Sequence, residues 1–330
     1  RTRQVPEGRR GQLDLSFGRF RSQKAHLWYG ASNRWGGLLV EGLHVGTLGF
    51  KEIDNSNRNT GFQRQDFVVR GFVRSNPTAR VYHRLELRLG LGRERSDETY
   101  LGLSREDFAA NATRRYASTA PDRMNWWRTS GVLTWTLGIG EHTSLVTDVY
   151  RHDFERSWFR LNRFGTTRGA DANGDGVPDA NDQVGLRDIV NNPTGANAVR
   201  LAVLRGDEDS DELLGRPYSI DNDRRFFSQG VQSRLRTTFA TGALRHEVDA
   251  GLRVHMDQVE REQTEFGFDM RSGTLVRRPD DTTLVTDNLD EALAIAGYAT
   301  WKLAWRGFEL SPGLRTEIIR TERTNDLDRD

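Results

Sequence analysis

The stretch RVYHRLELRLGLGR, residues 80–93, decides the fold. Val81, Leu85, Leu87, Leu89 and Leu91 share one parity, and Tyr82, Arg84, Glu86, Arg88 and Gly90 the other. Successive side chains of an extended chain point to opposite faces, so this is a strand with one apolar and one charged side. The pattern returns in GVQSRLRTTF, 230–239, where Val231, Leu235 and Phe239 oppose Gln232, Arg234 and Arg236. It returns again in HEVDAGLRVHMD, 246–257, where Val248, Ala250, Leu252, Val254 and Met256 oppose Asp249, Gly251, Arg253 and His255. Helical periodicity is nearly missing.

A soluble sandwich shows the same alternation, so the connections carry the distinction. Short links NRWGG (33–37), SNPTA (75–79), GIGEH (138–142), ATGAL (240–244) and AWRG (304–307) take turns with long ones over 49–61, 94–126, 156–225 and 263–291. One end of the sheet then has tight turns and the other large loops, as in an antiparallel transmembrane β-barrel with apolar residues towards lipid and polar ones inside. About eleven strands are expected: 12–21, 25–33, 37–48, 62–74, 80–93, 127–138, 143–155, 226–239, 245–262, 292–303 and 308–321. Trp28, Tyr29, Trp35, Trp126, Trp127, Trp158, Phe159 and Trp305 lie near strand ends and suit interfacial girdles.

Composition agrees. Of 330 residues only 35% are hydrophobic and 29% are charged, too little apolar material for a conventional core but enough for one thin outer layer. A net charge of +1 gives no general attraction to nucleic acid, and the absence of cysteine removes disulfides and thiol chemistry. No run approaches the ~20 apolar residues of a membrane helix. The opening RTRQVPEGRRGQ has no apolar signal core, the first residue is not Met, and the end follows closely on a strand pattern, so a fragment of a longer protein is expected.

Three stretches resemble the TonB-dependent outer-membrane receptors. TRQVPEGRRGQLDLSFG looks like the exit from a plug domain into the first barrel strand. YLGLSREDFAANATRRYAS (100–118), followed by DRMNWWRTS and YRHDFERSWFRLNRF, is similar to the ferric dicitrate receptor branch, and ELSPGLRTE (309–317) resembles a Pro-Gly-Leu-Arg strand motif of the family. The resemblance implies an all-β, 22-stranded barrel in the outer membrane of a Gram-negative bacterium, closed by a plug. Residues 1–11 would be the end of the plug and its connection, and 12–330 the first half of the barrel. It further implies import of a ferric chelate, ferric citrate or a siderophore, energised by the TonB-ExbB-ExbD complex through the plug. Outer-membrane lipid and lipopolysaccharide would surround it. The first link and every second one thereafter would face outside, including 94–126, 156–225 and 263–291.

Candidate sites divide by chemistry. DANGDGVPDAND, 171–182, places Asp171, Asn173, Asp175, Asp179 and Asp182 around a tight turn, oxygens suited to Ca2+, although the EF-hand glutamate is replaced by Asp182 and the flanks are not helical. It looks closer to the calcium loops of thrombospondin type 3 repeats; the bland alternative is a solvated acidic turn. For an anionic chelate, Arg105, Arg114, Arg115, Tyr116 and Arg123 in the 94–126 loop are the candidates, weighed against a loop-packing role. The inner-face residues Arg84, Arg88, Arg234, Arg236, Arg253 and His255 are expected mainly to pair with Glu86, Asp249 and the plug. No HxxxH pair, GxSxG elbow, P-loop or dinucleotide fingerprint occurs, which disfavours an enzyme. A receptor for another cargo, a plugless porin or adhesin, and a secreted calcium-binding β protein stay open as rivals.

Overall fold

The computed structural model describes residues 3–165, 183–211, 214–325 and 327. Eleven long strands run up and down in chain order: β1 (Gly8–Gly18), β2 (Ser22–Ser32), β3 (Gly36–Thr47), β4 (Phe62–Arg74), β5 (Val81–Ser96), β6 (Arg123–Ile139), β7 (Thr143–Gly165), β8 (Arg216–Thr241), β9 (Leu244–Arg271), β10 (Thr274–Trp305) and β11 (Gly313–Asn325). Each pairs antiparallel with its neighbours in sequence, and the short strands Gln183–Val184 and Phe308–Leu310 join the same sheet. The architecture is that of an antiparallel transmembrane β-barrel.

The apolar face is the outer one. Leu87, Leu133, Val149, Val231, Val254, Ile295 and Ile318 stand opposite one another in succession across β5 to β11, and all are between 38% and 71% exposed. In water such a row would be an uncovered patch far larger than soluble surfaces tolerate. Against hydrocarbon it is the contact layer. Towards the loop end the outer positions become charged: Arg151, Asp153 and Glu155 on β7, Arg225 on β8 and Glu260 on β9 form ion pairs there. That change marks the upper edge of the apolar belt.

The inner face is polar and largely self-paired. Arg70 and Arg84 meet Glu86 at 3.1 and 2.6 Å, and Arg64 and Arg128 meet Asp66 at 2.7 Å each. Arg234 and Arg236 both bind Asp249, which also accepts from the Tyr298 hydroxyl at 2.9 Å. Gly251 makes this possible, because a Cβ there would overlap the Tyr298 ring lying across it. Arg253 donates to the Tyr150 hydroxyl at 3.1 Å, and His255 sits between Tyr150 at 2.6 Å and Asp257 at 2.7 Å. Pairing with Glu86 and Asp249 is as the sequence leads one to expect.

Three expectations need correction. The expected 156–225 loop is shorter, because β7 runs on to Gly165 and β8 begins at Arg216. The stretch 263–291 is not an open loop: β9 and β10 continue through it to a tight turn at Ser272 (φ 49°) and Gly273 (φ 76°). At ~3.3 Å per residue, a 32-residue β10 extends roughly 100 Å, far beyond the 9–11 residues that cross hydrocarbon. The aromatic girdle is also split. Tyr29, Trp35, Trp127 and Trp305 are exposed, but Trp28 is buried beneath Arg3, whose guanidinium lies 4.1 Å from its ring centroid. Trp126 and Trp158 likewise belong to the inner face, because neighbours such as Trp126 and Trp127 must point to opposite sides of a strand.

At the loop end a cap with its own core covers the upper strands. It contains α1 (Arg105–Ala110), α2 (Leu186–Asn191) and α3 (Ala196–Arg205). Tyr116, Ile189, Leu201 and Leu204 pack with Leu161 and Phe164 of β7 and Met270 of β9. Asp107 ties it together, accepting from the Tyr116 hydroxyl at 2.7 Å, Arg114 at 2.9 Å, Arg205 at 2.8 Å and the Ser104 hydroxyl at 3.0 Å.

Candidate anion-binding site

On the inner face above the belt, Arg224 of β8 stands directly opposite Arg156 of β7 on one side and Arg261 of β9 on the other. Arg156 is seven residues beyond Val149, roughly 23 Å along the strand. Like charges directly opposite on paired strands repel, yet none of the three is in an ion pair among the described residues. Arg224 donates to the Asn222 side chain at 3.1 Å and Arg261 to Gln263 at 2.8 Å, both neutral partners. Nε of Arg156 and of Arg261 is buried without a hydrogen-bond partner among the described residues. Burial lowers the pKa of all three, and the neighbouring arginine adds to this for Arg224 and Arg261.

Aromatic rings border this ladder. Towards the membrane, Phe154 and Phe226 lie 5.7 Å apart, with Trp126 at 6.1 Å from Phe154. Towards the loops, Tyr100 meets Trp158 edge-on at 5.2 Å, and the Arg160 guanidinium lies 4.6 Å from the Tyr100 centroid and 5.3 Å from that of Trp158. Arg160 also has a buried, unpartnered Nε among the described residues. Stacked guanidinium groups keep their in-plane N–H donors free for a carboxylate or phenolate.

Behind Tyr100 lies Asp122, the last residue before β6. Its carboxylate accepts from the backbone N–H of Tyr100 at 3.0 Å and of Leu161 at 2.8 Å. Burial pushes its pKa up to about 7, against the pull of those two N–H groups and of Arg160 and Arg58.

The loop residues expected to hold ligand are not gathered into one site. Tyr116 is only 1% exposed, with its hydroxyl spent on Asp107 and Ser104, so it packs the cap and cannot reach a ligand in this arrangement. Arg114 is bound to Asp54 at 2.8 Å and to Asp107, and Arg123 to Asp97 at 2.8 Å. Arg115 turns back onto the carbonyls of Ala112 and Arg114. Arg105, at the start of α1, is exposed. Asp171, Asn173, Asp175, Asp179 and Asp182 lie outside the described residues; among the described ones no three His, Asp or Glu side chains gather as a metal site.

No protein-family model matches the chain, and no curated protein matches it by sequence. Solved structures do. The chain is similar to the ferric citrate transporter FecA in its unliganded form, with a TM-score of 0.64 and 15% identity over 99% of this chain and 40% of that one. It is similar to the siderophore receptor PiuA from Acinetobacter baumannii, with a TM-score of 0.59 and 11% identity over 98% of this chain and 44% of that one. The ferric-catecholate import receptor Fiu from E. coli K12, in its closed form, gives a TM-score of 0.58 and 14% identity over 96% and 42% of the two chains. The chain thus shares its fold with part of these transport receptors and spans about 40% of the length of FecA.

Proposed function

We propose that this chain forms part of a TonB-dependent receptor that imports an anionic ferric chelate across the outer membrane of a Gram-negative bacterium. The observation that carries the reading is the ladder of Arg156, Arg224 and Arg261, three half-buried cations facing one another without a carboxylate partner among the described residues. Such a row is costly in the empty protein and becomes favourable when a multiply charged anion bridges it. Its position above the apolar belt and inside the sheet puts it where a ligand arriving from the loop side would lodge. Loop-side residues would then be extracellular. The likeness to receptors named for ferric citrate, ferric catecholate and siderophore uptake supports the same chemical class.

Arg105 and Arg115 stay candidates for first capture at the rim, and Asp171, Asn173, Asp175, Asp179 and Asp182 for a Ca2+ that stiffens their loop. Energy would come from the TonB-ExbB-ExbD complex acting on a plug. The test is equilibrium binding to the full-length protein in detergent, with ferric citrate, a ferric catecholate complex and cyanocobalamin as a cargo without net charge. Ferric chelates should bind, with affinity that falls as salt is raised. Binding of cyanocobalamin alone would move the reading to another cargo.

A further inference from the structure

We propose that Asp122 is a positioning residue for the anion site, holding Tyr100 and Arg160 against Trp158 and making anion affinity depend on pH. The affinity part rests on reading the arginine ladder as a binding site; the positioning part does not.

Asp122 is 1% exposed and uses one oxygen on each of two segments. Oδ2 takes the Tyr100 N–H, and Oδ1 takes the Leu161 N–H. Residues 97–104 form neither helix nor strand, so this bond fixes the chain where the Tyr100 ring leaves it. Leu161 follows Arg160, so the second bond fixes the backbone from which that guanidinium reaches over Tyr100 and Trp158. Tyr100 itself is 56% exposed, so a side chain open to solvent is anchored by a carboxyl group that is not.

The charged groups acting on Asp122 are Arg160 from β7 and Arg58 from the link between β3 and β4. Arg58 is also committed to the Ala120 carbonyl and to Asp97, which in turn binds Arg123. Arg160 has no carboxylate contact among the described residues, so its field is shared between Asp122 and any anion in the site. Ionised Asp122 competes for that field, whereas protonated Asp122 does not. Anion affinity should therefore fall as pH rises through neutrality, by about three- to tenfold between about pH 6 and about pH 8 for one charge that shares Arg160 with the bound anion.

The experiment uses full-length protein labelled with fluorotryptophan, with the Trp158 fluorine resonance assigned from its loss in Trp158→Phe. In the ligand-free protein this resonance should titrate near neutrality and become flat in Asp122→Asn, whose amide NH2 would face a backbone N–H. Tyr100→Ala keeps the backbone bond to Asp122 but removes the ring, and should also flatten the response if the Asn variant does not fold. Ferric citrate affinity over the same range should slope in the wild type and lose its slope in Asp122→Asn. A Trp158 resonance that fails to titrate, or titrates equally in both variants, overturns the proposal. A titrating Trp158 with no ferric citrate binding at any pH supports the positioning and overturns the anion-site reading alone.

Discussion

Replacing Arg224 with glutamine should stabilise the empty protein and weaken ferric chelate binding at once. Arg224 lies between Arg156 and Arg261, opposite both. Guanidinium charges roughly 7 Å apart at an effective dielectric near 20 repel by about 2 kcal/mol per pair, which half-exposure and salt reduce to about 1 kcal/mol. Removing the central charge relieves two such repulsions and weakens the 3.1 Å bond to Asn222, worth about 1 kcal/mol. The net expectation is a gain of about 1 kcal/mol in unfolding free energy. Loss of a charge-assisted bond to the chelate should cost about 2 kcal/mol, or roughly thirtyfold in affinity. The assay pairs denaturant unfolding of the full-length protein in detergent with a ferric citrate titration, and Arg224→Lys serves as a control that keeps the charge without the fork. A purely structural arginine gives the opposite result: Arg224→Gln would be less stable than the wild type and bind equally well. That outcome would refute the reasoning.

Other expectations follow from different parts of the molecule. Val254→Arg, in the middle of the apolar row, should cost about 2–4 kcal/mol of folding into lipid bilayers, read as a lower yield of the heat-modifiable gel form. Asp107→Asn should loosen the cap by about 3 kcal/mol through Arg205 and Arg114, seen as faster amide exchange in α3 with the barrel strands unchanged. Burial works to raise the Asp107 pKa, but bonds from Tyr116, Arg205 and Ser104 outweigh it and hold it below the usual carboxylate range. Its contribution is therefore present above about pH 4 and lost as pH falls through the folded value. Asp122 has the opposite sign: its raised pKa favours the folded cap when protonated, and that contribution is lost as pH rises from the carboxylate range through about 7. Gly273→Ala should open the β9–β10 tip to proteolysis, because its φ of 76° disfavours a side chain and the new methyl would overlap Asn55. Calcium should protect the full-length protein from proteolysis near residues 171–182, and an Asp171→Asn, Asp175→Asn double variant should lose that protection.

What the sequence made legible was the part of the fold that touches lipid. Strand 62–74 coincides with β4, where Phe67, Val69 and Val73 share the exposed parity and Arg64, Asp66 and Arg70 lie on the other. The upper halves of β7 to β10 escaped because above the belt the outer face turns charged while the inner face mixes arginines with aromatic rings, and the run from Arg151 to Arg156 or through DDTTLVTDNLDEA carries no apolar/polar period. The ladder was lost with them. Arg224 fell into an expected loop that ended at 225, and Arg156 into the same loop, so their opposition to Arg261 could not be read. Register joins residues 37 to 68 positions apart, and no local pattern encodes it. In the RRY stretch the sequence is silent for a different reason: a cation in a loop looks alike whether it awaits a ligand or, as with Arg114, is already held by Asp54 and Asp107.

The lateral row from Leu87 to Ile318 carries one more implication. A side chain packed in a protein interior must match the shape of fixed neighbours, so its replacements are few. A side chain facing fluid acyl chains meets a partner that reshapes itself, and Leu, Ile, Val or Phe are nearly interchangeable there. Half of every membrane-crossing strand is thus free to drift among apolar residues while the backbone ladder keeps its course. A chain built this way can hold a TM-score of 0.64 to FecA at only 15% identity. Likeness of fold is then carried in strand order and register more durably than in letters.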